Sequence, residues 1–150
     1  KKLDAADFAA DEVFLRALPG KAGVFAEQYE GMSVQLINGT GKRQAFEASD
    51  SRIAIVSEAR DADGTWRAIE YLPSSWCGNS YHRVFLGPRE YWEFTAPRYS
   101  GSIESKLRFA LRLDDGETIY SNEFDGSINP EQFTVQQGHT PTDIMDPYVN

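Results

Sequence analysis

Residues 106–113 read Lys-Leu-Arg-Phe-Ala-Leu-Arg-Leu, so Leu107, Phe109, Leu111 and Leu113 alternate with Lys106, Arg108, Ala110 and Arg112. Side chains on a strand point to opposite faces in turn, and this period of two predicts a strand with one buried and one wet face. Asp114-Asp115-Gly116 follows, then Glu117-Thr118-Ile119-Tyr120, which predicts a tight turn and a returning strand. The apolar set is expected to line an interior opposite Val34, Leu36 and a strand over 52–60. Lys106, Arg108 and Arg112 then form a basic stripe, expected to pair across the sheet with acids such as Glu117 and Glu123.

Strand patterns and turn signals fill most of the remaining chain. Ser33-Val34-Gln35-Leu36-Ile37 predicts a strand running into the turn Asn38-Gly39-Thr40-Gly41. A short strand is expected over 44–47. The β-branched segment 52–60, the turn Asp61-Ala62-Asp63-Gly64 and the segment 65–71 predict a second hairpin. Residues 73–80 read as a loop, 81–86 as a strand ended by Gly87-Pro88, and 90–95 as a strand with Trp92 and Phe94 on one face. Residues 97–101 read as a turn, 131–136 as a last strand, and the tail from 138 as an extended coil carrying Pro141 and Pro147. The Ala-rich segment 4–18 predicts a short helix capped by Asp4 and stopped by Pro19-Gly20, with an edge strand over 13–17 as the alternative.

About seven to nine short strands with turns between them, and no alternation of strand with helix, predict an all-β fold. The expected architecture is an antiparallel β-sandwich, immunoglobulin-like but without that fold's cysteine pair, with a short N-terminal helix or arm. It forms a single domain over 1–150, with its core over about 33–136, an arm over 1–32 and an extended tail over 137–150.

Composition narrows what such a domain could do. A chain of 150 residues, 41% of them hydrophobic, suffices for a real core. Its net charge of −8 argues against nucleic-acid binding through phosphates and against anionic membranes. No run of about 18 apolar residues is present, so no membrane insertion is expected. Cys77 is the sole cysteine and can form neither an intrachain disulfide nor a cysteine metal cluster. The chain begins Lys1-Lys2, as it would after removal of a signal peptide or after trimming.

Three segments carry a resemblance: Asp63-Gly64-Thr65-Trp66, Trp76-Cys77-Gly78-Asn79-Ser80-Tyr81 and Tyr120-Ser121-Asn122-Glu123-Phe124. With them the chain resembles uncharacterised bacterial secreted or lipoprotein-type β-sandwich proteins. The resemblance implies an extracytoplasmic location, whether periplasmic, cell-surface or secreted, and implies no chemistry.

Each chemical motif competes with a plainer reading. Asp61-Ala62-Asp63-Gly64 could open a calcium loop, but Thr65 and Leu72 stand where an EF-hand needs ligands, so a polar turn is expected. Ser80 with His82, or Cys77 with His82, lacks an identifiable third member of a triad, and His139 lies in the tail. Glu90 and Glu93 would face opposite sides of a strand, whereas Glu70 and Glu123 could meet only through the fold. Asn38-Gly39-Thr40 matches a glycosylation acceptor and reads equally as a hairpin turn. No metal or cofactor is expected.

The aromatic set Trp66, Tyr71, Trp76, Tyr81, Tyr91, Trp92, Tyr99 and Tyr120 is the stronger lead, because exposed Trp and Tyr stack on sugars and anchor partners. Trp76 and Tyr81, beside a polar irregular loop, are expected to bind a ligand together with Asn79 and Tyr99. The expected function is therefore a non-enzymatic extracytoplasmic binding or interaction module for a glycan or protein partner. The alternatives are a hydrolase, glycosidic or other, with acids in a cleft, and a structural domain of a larger assembly.

Overall fold

The computed structural model describes residues 11–25, 27–49, 53–69 and 81–134. Over these it is all-β, and every strand pairing is antiparallel. In chain order the strands are β1 (Val13–Phe25), β2 (Tyr29–Asn38), β3 (Gln44–Ser49), β4 (Ile55–Arg60), β5 (Trp66–Ala68), β6 (Tyr81–Leu86), β7 (Glu90–Pro97), β8 (Ile103–Arg112), β9 (Thr118–Tyr120) and β10 (Phe124–Ile128). One sheet runs β1-β2-β7. A second runs β10-β8-β4-β5, with β9 also paired to β8. β3 and β6 form a two-stranded ribbon.

Register explains where the core lies. Leu15 and Ala17 sit opposite Leu36 and Val34, which in turn face Trp92 and Phe94 across the other edge of β2. Period two puts all six on one face. There they meet Phe46 and Leu86 of the ribbon and Phe109 and Leu111 of β8 in one apolar cluster. Burying each large side chain of this kind is worth about 1.5–3 kcal/mol. A second cluster joins Ala59, Ile69, Leu107 and Ile128, with Tyr99, Ile103, Phe124 and Phe133 packed against it.

Buried polar groups join the sheets. Asn38 is fully buried, and its Nδ2 donates to the carbonyls of Lys42, Leu86 and Gly87, at 2.7, 3.1 and 3.0 Å. Its Oδ1 accepts from the backbone N–H and the hydroxyl of Thr40. The glycosylation reading fails on this geometry, because the acceptor nitrogen is inaccessible and fully engaged. The hairpin reading fails as well, since β2 pairs with β1 and β7 while β3 pairs with β6. Asn38 anchors a crossing between sheets. Asn122 does similar work at the edge of β1, accepting from the Ala17 N–H at 2.8 Å and donating to the Ala17 carbonyl at 3.1 Å. That pairing covers an edge position that would otherwise present open backbone groups.

Both predicted hairpins form. β4 returns as β5 and β8 as β9, with Gly64 and Gly116 at φ 80° and 89° in the turns, a left-handed backbone that glycine adopts without strain. Leu107, Phe109 and Leu111 are buried as expected, and Leu113 packs partly buried against the first cluster.

No N-terminal helix is seen among the described residues. Residues 13–25 are strand, and the pairing shifts between Leu18 and Ala22, where Pro19-Gly20 interrupts the strand rather than stopping a helix. Apolar side chains on both faces of 13–18 hide the strand period. The strand expected over 131–136 is a 3-10 turn over Pro130–Thr134. Its start is closed reciprocally: the Asn129 N–H donates to Gln132 Oε1 and the Gln132 N–H to the Asn129 carbonyl. The segments 1–10, 70–80 and 135–150 lie outside the described residues, and with them the Asp4 cap, most of the 73–80 loop and the extended tail.

Candidate ligand cleft

An open cleft of about 680 Å³ lies where the end of β7 meets the starts of β8 and β10. Glu30, Arg98, Tyr99 and Ser100 line one part, Glu104, Ser105 and Lys106 of β8 another, and Asp125, Gly126 and Ser127 of β10 the rest. Its volume falls within the range of about 300–1,000 Å³ usual for ligand pockets.

Local structure fixes each wall. Pro97 ends β7, and the Arg98 N–H donates to the Glu30 carbonyl at 2.9 Å, extending the pairing by one step. The Arg98 guanidinium then donates through Nη1 to the Pro19 carbonyl. Tyr99 is half-buried against the second apolar cluster, so its ring rests on a fixed base. Gly101 closes the turn. Its N–H donates to Ser127 Oγ at 3.0 Å, and a Cβ there would lie 2.2 Å from the carbonyl carbon of Ile128. Only glycine lets the two backbones approach so closely.

The lining offers more hydrogen-bonding capacity than the chain consumes. Asp125 is held by Lys106, its direct cross-strand partner, and Ser105 donates to the Arg60 carbonyl at 2.6 Å. Ser127 accepts from Gly101, which leaves its own hydroxyl proton available to a ligand. Glu30 and Glu104 are exposed and can accept hydrogen bonds. Three acids against two cations leave the cleft slightly negative, which disfavours phosphate or sulfate. Hydroxyls, carboxylates and one aromatic wall suit a neutral polyol.

A second aromatic feature lies on the outer face of the β8 sheet. The Arg108 guanidinium carbon sits 4.2 Å from the Trp66 ring centroid and 3.7 Å from that of Tyr120, while its Nε donates to Glu58 Oε1 at 2.8 Å. Arg60 lies 5.2 Å from the same Trp66 ring. Two members of the basic stripe, Lys106 and Arg108, are thus paired, but with other acids than expected. Glu58 and Asp125 stand directly opposite Arg108 and Lys106, whereas Glu123 meets Arg60 at 3.6 Å. This stack engages its own rings and charges internally.

The sequence-derived candidates divide. Tyr99 lines the cleft. Tyr81 opens β6 opposite Ser49, and Trp76 and Asn79 lie outside the described residues, as do Glu70, Cys77, Ser80 and His139. His82 is exposed on β6. At the proposed calcium turn, Asp61 Oδ1 accepts from the Asp63 and Thr65 N–H groups, both at 2.9 Å, and Oδ2 binds Arg67 at 2.8 Å. Those hydrogen bonds, led by the one from Thr65, hold the Asp61 carboxyl below its ordinary range. The site is a polar turn closed on itself.

Arg98, Ser100, Glu104, Lys106 and Ser127 do not stand out in the sequence as ligand-binding positions. The local signal at this end of the molecule is the Pro97 to Gly101 turn holding Tyr99. No protein-family model matches this chain, and no curated protein is significantly similar to it.

Proposed function

We propose that this chain is a non-enzymatic extracytoplasmic binding module, an immunoglobulin-like sandwich that holds a neutral saccharide in the Tyr99 cleft. The observation that carries the reading is one aromatic wall on a fixed base, ringed by Ser100, Ser127, Glu30 and Glu104 in a space of ligand size. A sugar ring presents an apolar C–H face for the tyrosine and equatorial hydroxyls for carboxylates and serines. The sandwich assignment is supported by the two larger sheets giving their inner faces to one apolar cluster. The extracytoplasmic assignment rests on the sequence resemblance, and fractionation of cells producing the native protein tests it.

The binding test is a set of neutral glucans, mannans and galactans presented to the wild type, Tyr99→Ala and Trp76→Ala. The reading expects binding that Tyr99→Ala abolishes and Trp76→Ala leaves intact. Loss with Trp76→Ala alone would move the site to the 73–80 loop, and binding to none of the glycans would end the saccharide reading. Release of reducing ends on incubation would favour the hydrolase instead.

A further inference from the structure

A smaller space of about 20 Å³ adjoins the cleft and shares Arg98, Tyr99, Asp125 and Gly126 with it. It lies where the end of β7 meets β4, β8 and β10, and the rest of its lining is Ser57, Pro97, Leu107, Phe109 and Phe124. Leu107 and Phe109 are buried, and the Phe109 and Phe124 rings lie 5.6 Å apart. Gly126 helps keep this notch open, because a Cβ there would stand 3.0 Å from Leu107 Cδ1.

The notch and its mouth differ in chemistry. The lining that belongs to the notch alone is apolar except for Ser57, whereas two of the shared residues, Arg98 and Asp125, are charged. A space of this size takes one water or one methyl group. An ordered water needs two to four polar partners, which apolar walls do not supply. The two charged residues at the mouth have capacity left for a ligand. Arg98 commits Nη1 to the Pro19 carbonyl, and a guanidinium carries five N–H donors. Asp125 commits Oδ1 to Lys106, while its side chain stays 87% exposed. A donor cation and an acceptor carboxylate beside an apolar notch together match a secondary acetamide. The carbonyl accepts from the guanidinium, the N–H donates to the carboxylate, and the methyl fills the notch. A bare C-methyl, as in a deoxy sugar, would leave both mouth groups unused.

We propose that the saccharide of the Tyr99 cleft is an N-acetylated one, whose acetamido methyl seats in the notch behind Arg98 and Asp125. The proposal rests on the saccharide reading of the cleft and narrows it to a chemical class.

The test uses a matched pair of probes, the β-1,4-linked tetramers of glucose and of N-acetylglucosamine, which differ only at C2. Titration calorimetry on the native protein should show the acetamido tetramer bound about tenfold more tightly. An N-propionyl tetramer should lose most of that gain, because the notch holds one methyl. Gly126→Ala, which narrows the notch, should bring the two tetramers to similar affinity. Asp125→Ala should weaken the acetamido tetramer several-fold at an unchanged thermal midpoint and leave the glucose tetramer as it was. Should Gly126→Ala fail to fold, the N-propionyl probe on wild type decides the same point. Equal affinity of wild type for the two tetramers, or an N-propionyl tetramer that binds as well as the N-acetyl one, overturns the notch and leaves the Tyr99 cleft standing. Binding of neither tetramer, or binding indifferent to Tyr99→Ala, overturns the saccharide reading and this proposal with it.

Discussion

The Tyr99 cleft and the Trp66–Arg108–Tyr120 stack are made from the same materials, aromatic rings, cations and acids at the protein surface, and both draw on β8. They differ in what those groups do for one another. In the stack, Arg108 lies against two rings and binds Glu58, with both charged side chains about four-fifths buried, at 18% and 20% exposure. In the cleft, Tyr99 is anchored from below while hydroxyls and carboxylates around it face open space. An exposed aromatic marks a site when the polar groups near it still have hydrogen bonds to give, and a structural joint when they have spent them on each other.

The sharpest way to break the cleft is Gly101→Ala. The added methyl would meet backbone rather than a flexible side chain, so stability should fall by about 3 kcal/mol or more, read by urea unfolding. A stable Gly101→Ala variant would show that β10 can move away and that the wall is not fixed. The matching change in the stack is Arg108→Ala, which strands Glu58 and removes both ring contacts. A loss of about 1–3 kcal/mol is expected, with saccharide binding unaltered; lost binding at full stability would mean the stack belongs to the site.

Much of the fold is legible in the sequence, and little of the cleft. The alternation at 106–113, the two Asp-Gly turns and their hairpins are readable because each rests on neighbours in sequence. β1 is only half legible, as an edge strand over 13–17 set against a helix, since Phe14, Arg16 and Leu18 on its outer face alternate with Val13, Leu15 and Ala17 and blur the period. β10, Phe-Asp-Gly-Ser-Ile, has little intrinsic strand preference; it forms by pairing with β8, where Gly126 lies against Leu107. The cleft brings together positions 30, 98–100, 104–106 and 125–127, a convergence that no local pattern encodes. Tyr99 can be nominated for its residue type, and its partners cannot.

Smaller effects refine the contrast. Asp61 shapes the turn that delivers Trp66 to the stack, and its carboxyl is held below the ordinary range. Its contribution is therefore complete above the unfolded value of about 4 and disappears as pH falls through the lower folded value. The thermal midpoint of wild type should drop over that acidic window, and Asp61→Asn should flatten the drop; parallel curves would assign the acid sensitivity to other carboxyls. Glu104→Gln should change stability by less than about 0.5 kcal/mol, because the side chain is exposed. Saccharide affinity should nonetheless weaken several-fold on titration calorimetry.

The most direct measurement is a two-dimensional amide spectrum of the native chain titrated with the neutral oligosaccharide that binds best. Shifts should concentrate at residues 98–101, 104–106 and 125–127, with Trp66 and Tyr120 still. Shifts confined to 73–80 or to the Trp66–Tyr120 stack, or none at saturating sugar, would contradict a saccharide site built around Tyr99.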